Sequence, residues 1–181
     1  MRTTIWAGAV VLAAGMAMAE PRLIEDFTDG PERRWDYVSD QVMGGVSEGG
    51  AAVSTDGARQ FLRLTGDVST ANNGGFIQVR RKFSGGFPEG TEGLRAEVRG
   101  NDQGYFVHIR TTATRIPWHY YQAAFPAGAD WQTVTLPLSA FTPSNRAVPA
   151  RIDPEKITSI GFVAYGRDHQ ADLSVRSVSI Y

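Results

Sequence analysis

Beyond residue 19 the chain repeats one pattern: short runs of alternating apolar and polar side chains, each closed by Gly, Pro, Asn or Asp. Successive strand side chains point to opposite sides, so a period of two marks a strand with one face buried. In 59–68, Leu62 and Leu64 oppose Phe61 and Arg63. In 74–83, Ile77, Val79 and Arg81 oppose Phe76, Gln78 and Arg80. In 93–100, Leu94, Ala96 and Val98 oppose Arg95, Glu97 and Arg99. In 104–111, Tyr105, Val107 and Ile109 oppose Phe106, His108 and Arg110. Further strands are predicted at 118–125, at 131–138 with Pro137 near its end, at 157–166 and at 171–181. No helix-period segment of any length follows residue 19, so a helix-covered parallel sheet is excluded. About eight strands with glycine-rich turns predict an all-β fold, an antiparallel β-sandwich or jelly roll. The longest irregular stretch is 137–157, in which 153–157 reads as one helical turn with Asp153 as its cap and Pro154 in its first turn.

Residues 1–19, "MRTTIWAGAVVLAAGMAMA", have another character. Arg2, an apolar run over 5–16 and the small residues Ala17-Met18-Ala19 match a secretory signal peptide. The run is too short to span a bilayer, which takes about 20 residues. No later segment is apolar enough to do so. The expected mature chain is a single β-sandwich domain over 20–181, exported, with the bacterial periplasm as its destination. The chain has no cysteine, which excludes disulfides, thiol catalysis and zinc–thiolate sites. A net charge of −1 provides no basic surplus for nucleic acid.

Four predicted strands carry an unusual polar face: Phe76/Gln78/Arg80, Arg95/Glu97/Arg99, Phe106/His108/Arg110 and Trp118/Tyr120/Gln122. If the four are neighbours, these side chains form one charged and aromatic surface. Aromatic rings stack on the apolar faces of sugars, and planar groups such as Arg bond hydroxyls. The same alternation also describes a sheet with one wetted face and ordinary cross-strand ion pairs. Both readings stay open.

The stretch 35–47, "WDYVSDQVMGGVS", reads as a loop feeding a strand. Gly44-Gly45 permits a backbone closed to other residues or very close packing. Ser39 and Asp40 suit a turn whose amides would otherwise be stranded by burial. Trp35, Val38, Val42 and Met43 are expected to plug the end of the sandwich. Asp40 is expected to be held by an Arg of the polar face, with Arg80, Arg99 and Arg110 as candidates.

The same stretch resembles the signature of the complex I intermediate-associated protein 30 family: Trp35, Ser39-Asp40, and Met43-Gly44-Gly45-Val46-Ser47. The likeness continues through Asn73-Gly74-Gly75-Phe76 with Arg80, through 94–111 with its Arg-Gly and Tyr-led strand, through 120–143, and into 157–162, "ITSIGF". One departure is visible: where the family has Arg-Gly after its Phe-x-Pro, this chain has Arg146 followed by Ala147. The resemblance implies a galactose-binding-like β-sandwich, and relatives that act as chaperones in assembling respiratory complex I rather than as catalysts. The large hydrophilic arm of bacterial complex I is built on the cytoplasmic side. An exported chain would meet only the other face of the membrane, or a partner unrelated to complex I.

Enzyme readings are weaker. Ser39 or Ser47, a histidine (His108, His119 or His169) and Asp40 hold triad chemistry without a nucleophile elbow. Glu97 is the one acid in mid-strand on a polar face, and flanking arginines would lower its pKa, the wrong direction for a proton donor. Stretches 54–57, 65–67 and 100–102 carry oxygen ligands without the spacing of a calcium loop. The expectation is therefore a module without catalytic residues, metal or cofactor. Trp35, Ser39, Asp40, Arg80, Arg99, Phe106, His108, Arg110, Trp118 and Tyr120 would contact a partner, while Met43, Gly44, Gly45, Ser47 and 73–76 form a structural motif. The partner is read as a protein client such as a membrane or respiratory-chain complex, with a glycan of the cell envelope as the alternative.

Overall fold

The computed structural model describes residues 20–181, and the signal peptide expected at 1–19 lies outside the described residues. Twelve strands follow in chain order: β1 (Arg22–Glu25), β2 (Trp35–Ser39), β3 (Glu48–Asp56), β4 (Arg59–Val68), β5 (Phe76–Lys82), β6 (Gly93–Gly100), β7 (Gln103–Thr111), β8 (Tyr121–Ala127), β9 (Gln132–Pro137), β10 (Thr142–Pro143), β11 (Ile157–Tyr165) and β12 (His169–Ile180). They build two six-stranded sheets, antiparallel throughout. The first runs β3-β4-β12-β6-β9, with β1 also paired to β12. The second runs β10-β8-β7-β11-β5-β2.

The sequence alternation becomes the split between inside and outside. Leu94, Ala96 and Val98 of β6, Tyr105, Val107 and Ile109 of β7, and Ile77 and Val79 of β5 are all buried between the sheets. In β12 the inward residues change phase, from Leu173 and Val175 to Val178 and Ile180. A register shift lies between Val175 and Ser177, since one extra residue in a ladder reverses which side chains face the core. Trp35 packs on Phe27 and Phe162 at centroid distances of 5.5 and 5.9 Å. The buried carboxylate of Glu25 ties the chain start to the second sheet, accepting from Trp35 Nε1 at 2.9 Å and pairing with Arg34 and Arg81, each at 2.8 Å. Burial alone would push Glu25 up. The bonds from Arg34, Trp35 and the Phe27 amide outweigh it and hold the carboxyl below its usual range.

Five strands depart from the sequence expectation. β3 is an edge strand in which no residue is buried, so its alternation carries no apolar signal. β2 lies inside the stretch read as a loop, and β1 and β10 are only four and two residues long. The expected strand at 118–125 begins instead at Tyr121. The turn expected at 153–157 forms at Pro154–Lys156, with Asp153 accepting from the Glu155 amide. Among the described residues no helix is long and apolar enough to cross a membrane.

Candidate functional site

The stretch 35–47 forms a socket for one carboxylate. After β2 the chain makes a 3-10 turn over Asp40–Met43, ending at Gly44 with φ 90°. Asp40 has no solvent exposure. It accepts from the Ser47 amide at 2.9 Å and the Phe76 amide at 3.2 Å, and also from the Gly75 amide and the Ser47 hydroxyl. Burial would push its pKa up, but these donors outweigh it and hold the carboxyl below its usual range. A Cβ on Gly45 would lie 2.3 Å from Asp40 Cγ, and one on Gly74 would lie 2.4 Å from Asp40 Oδ2. The Gly-Gly steps at 44–45 and 74–75 therefore wall this socket on two sides, which explains Gly45, Ser47, Gly74 and Gly75 physically.

This corrects the expectation that an arginine holds Asp40. Backbone amides and one hydroxyl saturate the carboxylate, which leaves no place for a guanidinium. Ser39 and Trp35 are also buried, so Trp35, Ser39 and Asp40 offer no surface to a partner. Nor do Val42 and Met43 plug the sandwich. The turn sends them outward, 75% and 58% exposed.

Their exposed side chains form one lip of a groove of about 240 Å³ on the outer face of the second sheet. β11 lies between β5 and β7, so that Arg80, Gly161, His108 and Gln122 stand in one row across four strands. Gly161 leaves the middle of that row without a side chain. His108 and Tyr120 stack at 4.1 Å and 13°, and Tyr165 meets the His108 ring edge-on at 5.6 Å. Phe106 packs against Tyr165 at 5.9 Å. Arg110 Nη2 donates to the carbonyls of Thr114 and Ile116 at 2.7 and 2.9 Å. Those bonds fix the loop that carries Trp118, whose side chain is 60% exposed at the opposite lip. Ser144 secures the same loop by donating to Trp118 O at 2.9 Å and accepting from the Tyr120 amide at 3.0 Å.

The groove's electrostatics are one-sided. Arg80 donates to no protein acceptor among the described residues, and its Nε is buried without a partner. No Asp or Glu lines the groove. Asp36 stands opposite Arg80 across β2 and β5 but leans to Lys82 at 3.8 Å. Burial, and then the neighbouring Arg80, lower the Arg110 pKa. Burial pushes the His108 imidazole down to about 3, with Gln122 acting weakly the other way, so the ring is neutral at pH 7.

Of the residues expected to meet a partner, Arg80, Phe106, His108, Arg110, Trp118 and Tyr120 share this face. Arg99 does not. It lies on the outer face of the first sheet, 4.6 Å over the Trp131 ring and 3.2 Å from Asp56. Glu97 lies there too, paired with Arg59 at 2.9 Å and with Arg176. The bond from Arg176 is the main cause that lowers its pKa. Sequence reasoning placed Gln78 on this face and missed Val42, Met43, Gly161 and Tyr165 as groove residues. The alternation of β11 carries the signal for Gly161 and Tyr165, but its place between β5 and β7 is not local information.

The socket does not extend to a triad. Ser47 Oγ bonds Asp40, but no histidine bonds either. His108 lies in the groove, and His169 Nδ1 bonds Arg167 O. Among the described residues no three His, Cys, Asp or Glu side chains cluster to hold a metal ion.

A family model for complex I intermediate-associated protein 30 matches residues 26–175. The chain belongs to that family. As a complex I intermediate-associated protein 30 family member, it has both the socket and the whole groove within the matched span. No curated protein matches the sequence significantly. Among solved structures the fold is similar to the family 11 carbohydrate-binding module of a cellulosomal cellulase of Clostridium thermocellum, with TM-score 0.74 and 13% identity over 91% of this chain and 95% of that one. It is also similar to the family 11 module from the same organism in complex with a β-1,3-1,4-mixed-linked tetrasaccharide, with TM-score 0.72 and 13% identity over 88% and 94%. A family 30 module of another cellulosomal cellulase of that organism follows at TM-score 0.55 and 14% identity, over 76% and 90%. At such identities the likeness speaks for the fold alone, a galactose-binding-like β-sandwich.

Proposed function

We propose that this family member is an exported, non-catalytic binding module whose groove on the second sheet holds a saccharide of the cell envelope, with the periplasm as its compartment. The observation that carries the reading is the pairing of the exposed Trp118 and the stacked Tyr120 with Arg80, which donates to no protein acceptor among the described residues. Ring faces take the apolar side of a sugar, and planar donors take its oxygens. The likeness to carbohydrate-binding modules, one of them holding a tetrasaccharide, supports it at the level of fold. Affinity electrophoresis through gels of envelope and plant polysaccharides tests it. Retardation of the protein that Trp118→Ala abolishes is expected, and equal mobility in every gel refutes it.

A second reading has its own support. The family takes its name from complex I assembly, and Val42, Met43 and Trp118 give the groove exposed apolar lips suited to a protein client. Co-purification from membranes would then enrich a membrane or respiratory-chain complex, and Val42→Asp with Met43→Asp would abolish that enrichment.

A further inference from the structure

Two arginines at the groove floor set a condition on any ligand. β5 and β7 are next-but-one strands, about 10 Å apart at the backbone. Arg80 and Arg110 flank the gap at Gly161, with Arg80 level with Gly161 and Arg110 level with Ser159. Among the described residues Arg80 donates to no protein acceptor, its Nε lying unpaired, and Arg110 donates through Nη2 to the loop carbonyls. The remaining charge is not neutralised. No acid lines the groove, and the one acid opposite Arg80 pairs with Lys82. Some arginines elsewhere on the molecule do find carboxylates: Arg63 finds Asp172, Arg99 finds Asp56, and Arg59 and Arg176 find Glu97. Two like charges left facing one concave surface destabilise each other, and an anion between them relieves that. The lowered pKa of Arg110, caused by burial and by Arg80, agrees with this geometry.

We infer that the ligand is an acidic saccharide, whose carboxylate or sulfate lies between Arg80 and Arg110 while its sugar faces stack on Trp118 and Tyr120. The inference rests on the saccharide reading above and narrows it to one class. His108 is neutral at working pH and adds no charge, so the anion is recognised by the two guanidinium groups alone. Because the whole chain carries a net charge of −1, general attraction to polyanions is not built in, and the effect is local to the groove.

The test uses polygalacturonate, alginate and a sulfated galactan, each beside its neutral derivative made by carboxyl reduction or desulfation. Binding of the purified protein is measured by calorimetry at low and high salt. The expected result is that at least one acidic polymer binds tenfold or more tighter than its neutral derivative, weakens with salt, and loses about tenfold in Arg80→Gln. The uronate and sulfate arms distinguish the two sources of the anion. Arg80 is chosen because it holds no protein group, so its variant should keep the wild-type melting temperature, whereas Arg110 fixes the Trp118 loop. Equal binding of acidic and neutral forms, both abolished by Trp118→Ala, overturns the acidic assignment and leaves the saccharide reading standing. Binding of no polymer overturns both. Acidic binding that survives both Arg80→Gln and Trp118→Ala also overturns the inference, because the anion then lies elsewhere.

Discussion

The Asp40 socket and the groove beside it treat polar groups in opposite ways. In the socket a carboxylate with no exposure accepts from three amides and a hydroxyl, and two glycines give up their side chains to let those donors close in. In the groove, Arg80 Nε lies buried with no partner, and the His108 ring has only the neighbouring Gln122 side chain to bond. Buried polar groups are nearly always satisfied, because leaving one unmade costs about 1–3 kcal/mol. The conspicuous sequence motif therefore builds the scaffold, and the plainer alternating residues line the groove beside it.

Four experiments can break that contrast, and the largest effect belongs to the socket. Asp40→Asn replaces a fully bonded carboxylate with an amide whose NH₂ faces backbone donors. A loss of about 3–5 kcal/mol is expected, or roughly 10 °C in Tm for a domain of this size. A Tm within a degree or two of wild type would mean that the socket is not structural. The next effect is acid sensitivity of the groove. The folded pKa of His108 is depressed from 6.5 to about 3, so the unfolded chain binds a proton that the folded chain refuses. This stability term is whole above pH 6.5 and is lost as pH falls toward 3, at about 1.4 kcal/mol per pH unit. His169 is also lowered by burial and adds to the same window. Asp40 and Glu25, held below their usual range, release their contribution only below about pH 4. Urea titrations at pH 7 and pH 5 should show the loss in wild type and a smaller one in His108→Gln. Equal slopes in the two proteins would place the proton elsewhere. Third, Gly74→Ala drives a methyl into Asp40 Oδ2 and should cost about 1–3 kcal/mol by overpacking. The smallest effect is expected in the groove, where Arg80→Gln should change stability by less than about 0.5 kcal/mol. A clear loss would show that Arg80 supports the fold.

The sequence held more of the fold than of the site. Alternation is a local property, so the inward residues of β4, β5, β6 and β7 could be read directly. β3 could not, because an edge strand that buries nothing has no apolar rhythm. The Gly44-Gly45 step was legible as close packing, but the object it packs against, Asp40, and the matching step at 74–75 required the fold. Arg99 and Arg110 look alike in sequence, each on a strand's polar side. They differ because Arg99 meets Asp56, 43 residues away, while Arg110 meets no acid. Likewise β11, from far along the chain, slides between β5 and β7 and brings Tyr165 and Gly161 into the groove. Strand order decides which polar faces merge, and pairing at such separations leaves no local trace.

The central strand of the first sheet is also the last one in chain order. β12 pairs with β4, β6 and β1, so β4 and β6, though already paired with β3 and β9 on their other sides, each keep one side open while residues 169–180 are still being made. A growing chain carries two long strand edges, at β4 and β6, with nothing to cover them. Such edges invite pairing with other chains. The sandwich must therefore close late and all together, and a molecule cut short before residue 169 is expected to aggregate rather than to persist as a smaller folded unit.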